Sequence, residues 1–346
     1  MMKLKRRGAV GSVATATTLF LTMLFLATIT GCSRTDPRAL VIYTYDAFPE
    51  PLEQMIVSRF SDEYNITVTV ERFQDTGGLY NEVYLAGDDY VADLIIGLDN
   101  TYVGKALAEG FFQPYTPAGI ESVRPDLLLD PQHRLIPFDY GNIVLNYDAE
   151  VLTDPPATWD DLLDPRLRES IVLMNPVTSS PGRNFLLLTI EQFGEDGYLD
   201  YWKNLRPNIL TVTAGWSEGY GLYSQGEAPI VLSYDTSPAY HIAYENTDRY
   251  RNLILNDTGY AQIEFAGISA LAQNVAGAQR AMDYLLSSEF QAEIPLNQFM
   301  FPVRDDVTLP EAFTRIDRPT TSVHMDGERV DERFEAWVAD WEEVMR

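Results

Sequence analysis

Short apolar runs recur along the chain, each ended by a polar or turn-forming cluster. Ala39–Tyr45, Ile66–Phe73, Val91–Leu98, Ser170–Met174 and Ala261–Ala270 are rich in β-branched and aromatic residues and read as strands. Amphipathic stretches lie between them. Helices are predicted from Leu52 to Tyr64, from Asn184 to Phe193, over Ala276–Ser287 and over Val330–Met345, the last with Phe334, Trp337 and Trp341 on one apolar stripe that reads as core. This alternation predicts an α/β architecture. Arg134–Tyr147 is longer than the other runs and is interrupted by Pro137 and Gly141, so it reads as a strand that crosses between two lobes. The second strand is predicted to break at Gln74–Gly78, and the third to close at Asp99 and Asn100.

The densest pattern is Thr211–His241, which reads as strand, turn, helix, turn, strand, turn and helix start. Its β-branched run stops at Gly215, with Trp216 at the head of a helix, and the apolar run Pro229–Tyr234 gives way to Asp235, Thr236, Ser237 and Pro238. A hydroxyl at the N-cap followed by proline is a helix-start signature, because the hydroxyl satisfies an orphan N–H and proline lacks one. Strand-to-helix junctions of α/β proteins face ligand crevices, so Trp216, Tyr234 and Tyr240 are candidates to converge on one ligand. Core packing is the competing reading for each ring alone. Gly215–Gly219 also matches the G-x-S-x-G nucleophile elbow, with His241 and His324 downstream of Ser217. No HGGG-type oxyanion segment accompanies it, which leaves a serine esterase as the lesser reading. After Met174, the Asn175–Arg183 segment supplies hydroxyls at a helix start, suited to capping or to an anion.

Residues 1–31 stand outside this pattern. Lys3, Lys5, Arg6 and Arg7 precede an uncharged stretch from Ala9 to Thr30, and Ile29-Thr30-Gly31-Cys32 resembles a lipobox. Cys32 is the only cysteine, so it makes no internal disulfide, and lipidation after signal cleavage is its expected role.

Composition then narrows the partners. The chain of 346 residues carries a formal charge of −26, and loss of the basic leader takes it to about −30. Nucleic acid is excluded as a partner on electrostatic grounds, and a cationic ligand is favoured. His133, His241 and His324 are scattered without metal-ligand spacing, and no Walker loop or G-x-G-x-x-G is present, so neither a metal nor a cofactor is expected.

Several blocks together resemble the bacterial periplasmic thiamine-binding proteins, the substrate-binding components of thiamine ABC importers. They are VIYTYDAF, GLDN, PFDYG, TSSPG, GWSEGYGL, VLSYDTSPAYH and FPV at Phe301–Val303, in the family's order. The resemblance implies the type II periplasmic-binding fold: one discontinuous lobe of residues 39–140 plus 266–346, a second of 141–265, and the ligand in the cleft between them. It also implies ligand contacts from Tyr45, Asp46, Asp75, Thr178, Ser179, Trp216, Tyr234, Tyr240 and Phe299, the last standing where the family can carry a tryptophan. Aromatic faces stabilise a thiazolium cation, and carboxylate oxygens accept from an aminopyrimidine. The expected protein is a monomeric, lipid-anchored, extracytoplasmic binder of thiamine or its phosphate esters, without enzymatic activity, working with a membrane permease. A ferric-ion binder using Tyr234, Asp235 and Tyr240, or a polyamine binder, is the alternative within the same fold.

Overall fold

The described strands form one sheet, and its two longest strands lie in the middle of it. The computed structural model describes residues 39–346. The first part of the chain forms β1 (Ala39–Tyr45), α1 (Glu50–Tyr64), β2 (Thr67–Phe73), α2 (Thr76–Ala86), β3 (Leu94–Asp99), α3 (Val103–Ala108) and the long β4 (Ile136–Asp148). There follow β5 (Ile171–Met174), α4 (Ser180–Phe193), α5 (Tyr198–Leu205), β6 (Ile209–Thr213), α6 (Trp216–Ser224), β7 (Ile230–Tyr234), α7 (Pro238–Tyr240), β8 (Tyr250–Leu253) and the second long strand β9 (Thr258–Ile268). The chain ends with α8 (Val275–Leu285), α9 (Ser288–Asn297), β10 (Phe301–Pro302), α10 (Glu311–Thr314), β11 (Thr321–Val323) and α11 (Gly327–Met345).

The strand order is β2-β1-β3-β9-β4-β7-β5-β6, with β8, β10 and β11 as short additions on β4 and β9. Pairing is parallel on both flanks and antiparallel in the middle, where β9 pairs with β3 and β4, and β4 with β7. Parallel strands with covering helices bury both faces, which explains the continuous apolar runs of β1, β3 and β5. Two large hydrophobic cores result among the described residues, beside a small cluster of Ala239, Phe301, Ala312 and Phe313. Ile136 and Phe138 of β4 and Ile263, Phe265, Ala266 and Ile268 of β9 belong to the first, with β1, β3, α1, α8 and α9. Ile143, Leu145 and Tyr147 of β4 and Tyr260 of β9 belong to the second, with β5, β7, α4 and α5. Each long strand therefore passes from one core into the other.

The predicted stripe of α11 is core: Phe334, Trp337 and Trp341 are buried in the second core, and Trp341 packs edge-on to Trp202 of α5 at 5.6 Å. β4 continues through Pro137 and Gly141, with the register to β9 shifting between Pro137 and Asp139, and Gly141 packs against Met300. The predicted break at Gln74–Gly78 holds, since β2 ends at Phe73; Asp75 then accepts from the Gly78 N–H at 2.8 Å and so caps α2, which starts at Thr76. One expectation fails. Ser237 precedes α7 but does not cap it; its hydroxyl bonds Ser233 Oγ at 2.7 Å instead, and α7 ends after Tyr240 in a π-turn.

Candidate ligand-binding site

A cavity of about 690 Å³ opens where strand ends from both cores meet. That volume falls within the range of small-molecule sites. All nine residues predicted as ligand contacts, Tyr45, Asp46, Asp75, Thr178, Ser179, Trp216, Tyr234, Tyr240 and Phe299, line it. Cys32 lies outside the described residues.

The wall from the first core begins at the end of β1. Tyr45 is buried and donates its hydroxyl to Glu264 Oε2 at 2.7 Å; burial and the charge of Glu264 push this phenol well above its ordinary range. Space for the ring is made by Gly97 of β3, whose φ is +103° and where an added Cβ would stand 2.2 Å from the Tyr45 ring. Asp46 is exposed in the turn that follows. Arg72 of β2 clamps this turn, donating to the carbonyls of Asp46 at 2.9 Å and Phe48 at 2.7 Å while pairing with Glu53. Burial raises the Asp75 carboxyl, and the N–H of Gly78 pulls it part of the way back.

The second core contributes helix starts. Gly182, in the first turn of α4, packs so close to β5 that a Cβ would meet the Met174 carbonyl at 2.4 Å. This close approach sets Thr178 and Ser179 at the cavity edge. Thr178 Oγ1 donates to the Ala214 carbonyl at 2.6 Å. Ser179 occupies the N-cap position yet makes no cap bond, and its buried hydroxyl has no partner among the described residues. A hydroxyl in that state is available to a ligand.

Trp216 opens α6 and donates its indole N–H to Ser233 Oγ at 2.8 Å. Its ring stacks on Tyr220 at 4.8 Å, and Tyr234 is tilted to it at 6.3 Å. Tyr234 accepts from Gln262 Nε2 at 3.0 Å, and burial followed by the Glu264 charge raises its phenol well above the ordinary range. At the mouth, Tyr240 is 41% exposed and meets Phe299 edge-on at 5.2 Å, while Phe299 adopts a left-handed backbone with φ 55°.

Further lining residues that the sequence reading did not assign to a ligand include Tyr220, His241, Gln262, Glu264 and Gln298. The signal for Glu264 was present, since a carboxylate inside the apolar run Ala261–Ala270 is out of pattern. No such signal marked the others.

The arrangement disagrees with esterase and iron chemistry. The two ring nitrogens of His241 engage the Tyr220 hydroxyl at 2.8 Å and Glu245 Oε2 at 2.7 Å, so this ring does not serve the exposed Ser217. Asp235 is fully buried and bonds Asn142 at 2.9 Å rather than facing the cavity. In the metal-free protein, burial and then the Glu264 charge favour the neutral phenol of Tyr234.

The model of a family described as bacterial extracellular solute-binding protein matches residues 89–321. The thiamine-binding periplasmic protein of Brucella abortus is 34% identical over 309 residues, covering 87% of this chain and 90% of the relative. That of Escherichia coli is 32% identical over 315 residues, covering 88% and 93%. Among solved structures, a periplasmic thiamin binding protein superposes with a TM-score of 0.81 at 31% identity, covering 89% of this chain and 96% of the other.

Proposed function

The chain belongs to the bacterial extracellular solute-binding proteins, in the family of periplasmic thiamine-binding proteins with the type II fold, and from this premise we propose that it captures thiamine outside the cytoplasm for an ABC importer. One observation carries the assignment to a cationic, two-ring ligand. Aromatic faces of Tyr45, Trp216, Tyr220 and Tyr234 surround a cavity whose inner side bears the carboxylate of Glu264, with no lysine or arginine among the described residues that line it.

In this reading Trp216 and Tyr234 hold the thiazolium ring by their faces, a contact of about 0.5–2 kcal/mol depending on desolvation. Asp75 accepts from the aminopyrimidine amino group. The unpartnered Ser179 hydroxyl, with Thr178 beside it, faces the hydroxyethyl end or a phosphate ester. Cys32 carries the lipid anchor, the protein acts as a monomer, and no cofactor takes part. No helix among the described residues is long and apolar enough to cross a membrane.

The lobes are proposed to close on the ligand by bending where β4 and β9 pass between the cores, because contacts from both cores line one cavity. A ferric or polyamine ligand is the reading to be separated from this one. Denaturing the purified protein and weighing the released small molecules, followed by calorimetric titration of the emptied protein with thiamine, decides between them. Release of thiamine and tight rebinding are expected; a released polyamine, or no heat with thiamine, would overturn the assignment. Scattering should show a smaller radius with thiamine bound.

A further inference from the structure

Three carboxylates form a row across the middle of the sheet, beneath the cavity. The register places Glu264 of β9 opposite Asp99 of β3 on one side and opposite Asp139 of β4 on the other. Residues paired across neighbouring strands share a face of the sheet. Asp99 and Asp139 are both 0% exposed, and Glu264 is 6% exposed as the member that lines the cavity.

Neutral donors hold Glu264 in place. Tyr45 donates to Oε2 at 2.7 Å and Gln262 to Oε1 at 3.3 Å. Gln262 is itself fixed by Asn184 of α4 at 2.8 Å and by the Tyr234 hydroxyl of β7 at 3.0 Å. Gln298, after α9, donates to the Tyr45 hydroxyl. Asp99 Oδ1 accepts from Thr101, but its Oδ2 and both oxygens of Asp139 have no partner among the described residues. Arg183 is turned elsewhere, donating to Tyr102 at 3.3 Å with its guanidinium over the Phe334 and Tyr102 rings.

Neighbouring buried carboxylates with no counter-ion do not all ionise, since each charge is poorly solvated and repels the next. Burial first, then the charge of Asp99, raises Glu264 to about 7 against the pull of the Tyr45 and Gln262 hydrogen bonds. Burial and the charge of Glu264 raise Asp139 well above the carboxylate range. The two titrate as a pair, so the proton belongs to both.

We propose that the Asp139–Glu264 pair is an exchangeable counter-charge: a cationic ligand entering the cavity replaces the proton that the pair holds, and that proton passes to solvent. This rests on the thiamine reading and assigns the cation's charge to a group outside the predicted contacts. The sign follows from linkage. A cation favours the ionised pair, so affinity increases as pH rises through the range in which the empty pair titrates and becomes flat above it.

Calorimetry of thiamine binding, in buffers of different ionisation enthalpy from about pH 6 to pH 8, tests this. The wild type should release a substantial fraction of a proton below about pH 7 and bind roughly tenfold more weakly at pH 6 than at pH 8. Glu264→Gln should abolish both the release and the pH dependence and weaken binding at the upper pH. Asp99→Asn keeps the shape of the site, serves if Glu264→Gln does not fold, and should shift the affinity midpoint to lower pH, because the Asp99 charge that raises Glu264 is then removed. Thiamine binding with flat affinity and no proton release would overturn the inference and leave the ligand assignment standing. Retention of the wild-type pH profile in Glu264→Gln would overturn it as well. Absence of thiamine binding at every pH would remove the ligand assignment and this inference with it.

Discussion

The indole of Trp216 donates to the hydroxyl of Ser233 at 2.8 Å, so a ring at the start of α6 is keyed to a strand, β7, in the wall of the same cavity. The hydrogen bond fixes the plane that the ring presents. Stacking on Tyr220 covers one face.

Trp216→Leu should therefore weaken thiamine binding by up to about thirtyfold, the loss of one cation–π face. A neutral analogue of the same shape should lose less, because only its stacking is removed. Ser233→Ala leaves the ring but frees its orientation, and a loss of about fivefold is expected. Calorimetry with both ligands checks each value, and equal losses for the two ligands would make Trp216 plain apolar surface.

Gly97→Ala should damage both stability and binding. Its φ of +103° disfavours any side chain, and the new methyl would meet the Tyr45 ring at 2.2 Å. Strain of this kind costs about 1–3 kcal/mol before the ring moves, and Tyr45 has to leave the cavity wall to relieve the clash. A lowered melting temperature with weak thiamine binding is expected; wild-type affinity would mean that Tyr45 is not a contact.

At the mouth, Phe299 meets Tyr240 at 5.2 Å and Tyr244 at 5.8 Å, both edge-on. Aromatic pairs of this type contribute about 0.5–1.5 kcal/mol each, so Phe299→Ala should speed ligand release by roughly tenfold with less effect on capture. Stopped-flow tryptophan fluorescence separates the two rates. A slowed association with unchanged release would place Phe299 on the path into the cavity rather than at its closure.

Stability should be greatest at mildly acid pH. Glu264 is raised from 4.5 to about 7 in the folded protein, so the folded state holds a proton that the unfolded chain gives up, and stability falls as pH rises through that interval. Asp148 behaves oppositely: burial would raise it, but the Arg249 bridge at 2.8 Å and the Glu150 N–H hold it below 3.8, so its contribution is lost in stronger acid. Glu264→Gln should raise the stability of the ligand-free protein at about pH 8 by on the order of 1–3 kcal/mol. Thermal melts across pH test this, and a destabilised variant would show that the carboxylate supports the fold.

Cys32→Ala should move the protein from the membrane to the soluble fraction. Retention at the membrane would assign anchoring to the leader itself.

The strands that build the site were legible because their burial is written in continuous apolar runs, as in β1, β5 and β7. Junction aromatics were legible for a related reason, since Trp216, Tyr234 and Tyr240 interrupt the pattern at its breaks. Helix α2 was hidden by Gly77 and Gly78, which signal a turn locally but permit close approach of the Tyr102 hydroxyl, 2.9 Å from where a Gly77 Cβ would stand. Ser179 and Ser237 looked like caps from position alone, and only the surrounding partners reveal that neither hydroxyl is spent on its helix. The link from Tyr45 to Glu264 spans 219 residues, and the register that joins β9 to both β3 and β4 is a product of the assembled sheet.

The placement of α11 has a consequence for the order of assembly. Trp337 and Trp341 complete a core whose strands and helices lie far upstream, against Trp202. A chain emerging from its N terminus can pair β1 with β2 and β3 early, but it reaches β5, α4 and α5 with one side of their core open to water. That side closes only when the last residues arrive, and such long-range closure is slow and leaves apolar surface uncovered in the interval. Truncation before Gly327 should therefore yield a chain with its first core formed and its second unsealed, prone to aggregate even though every cavity-lining residue is still present.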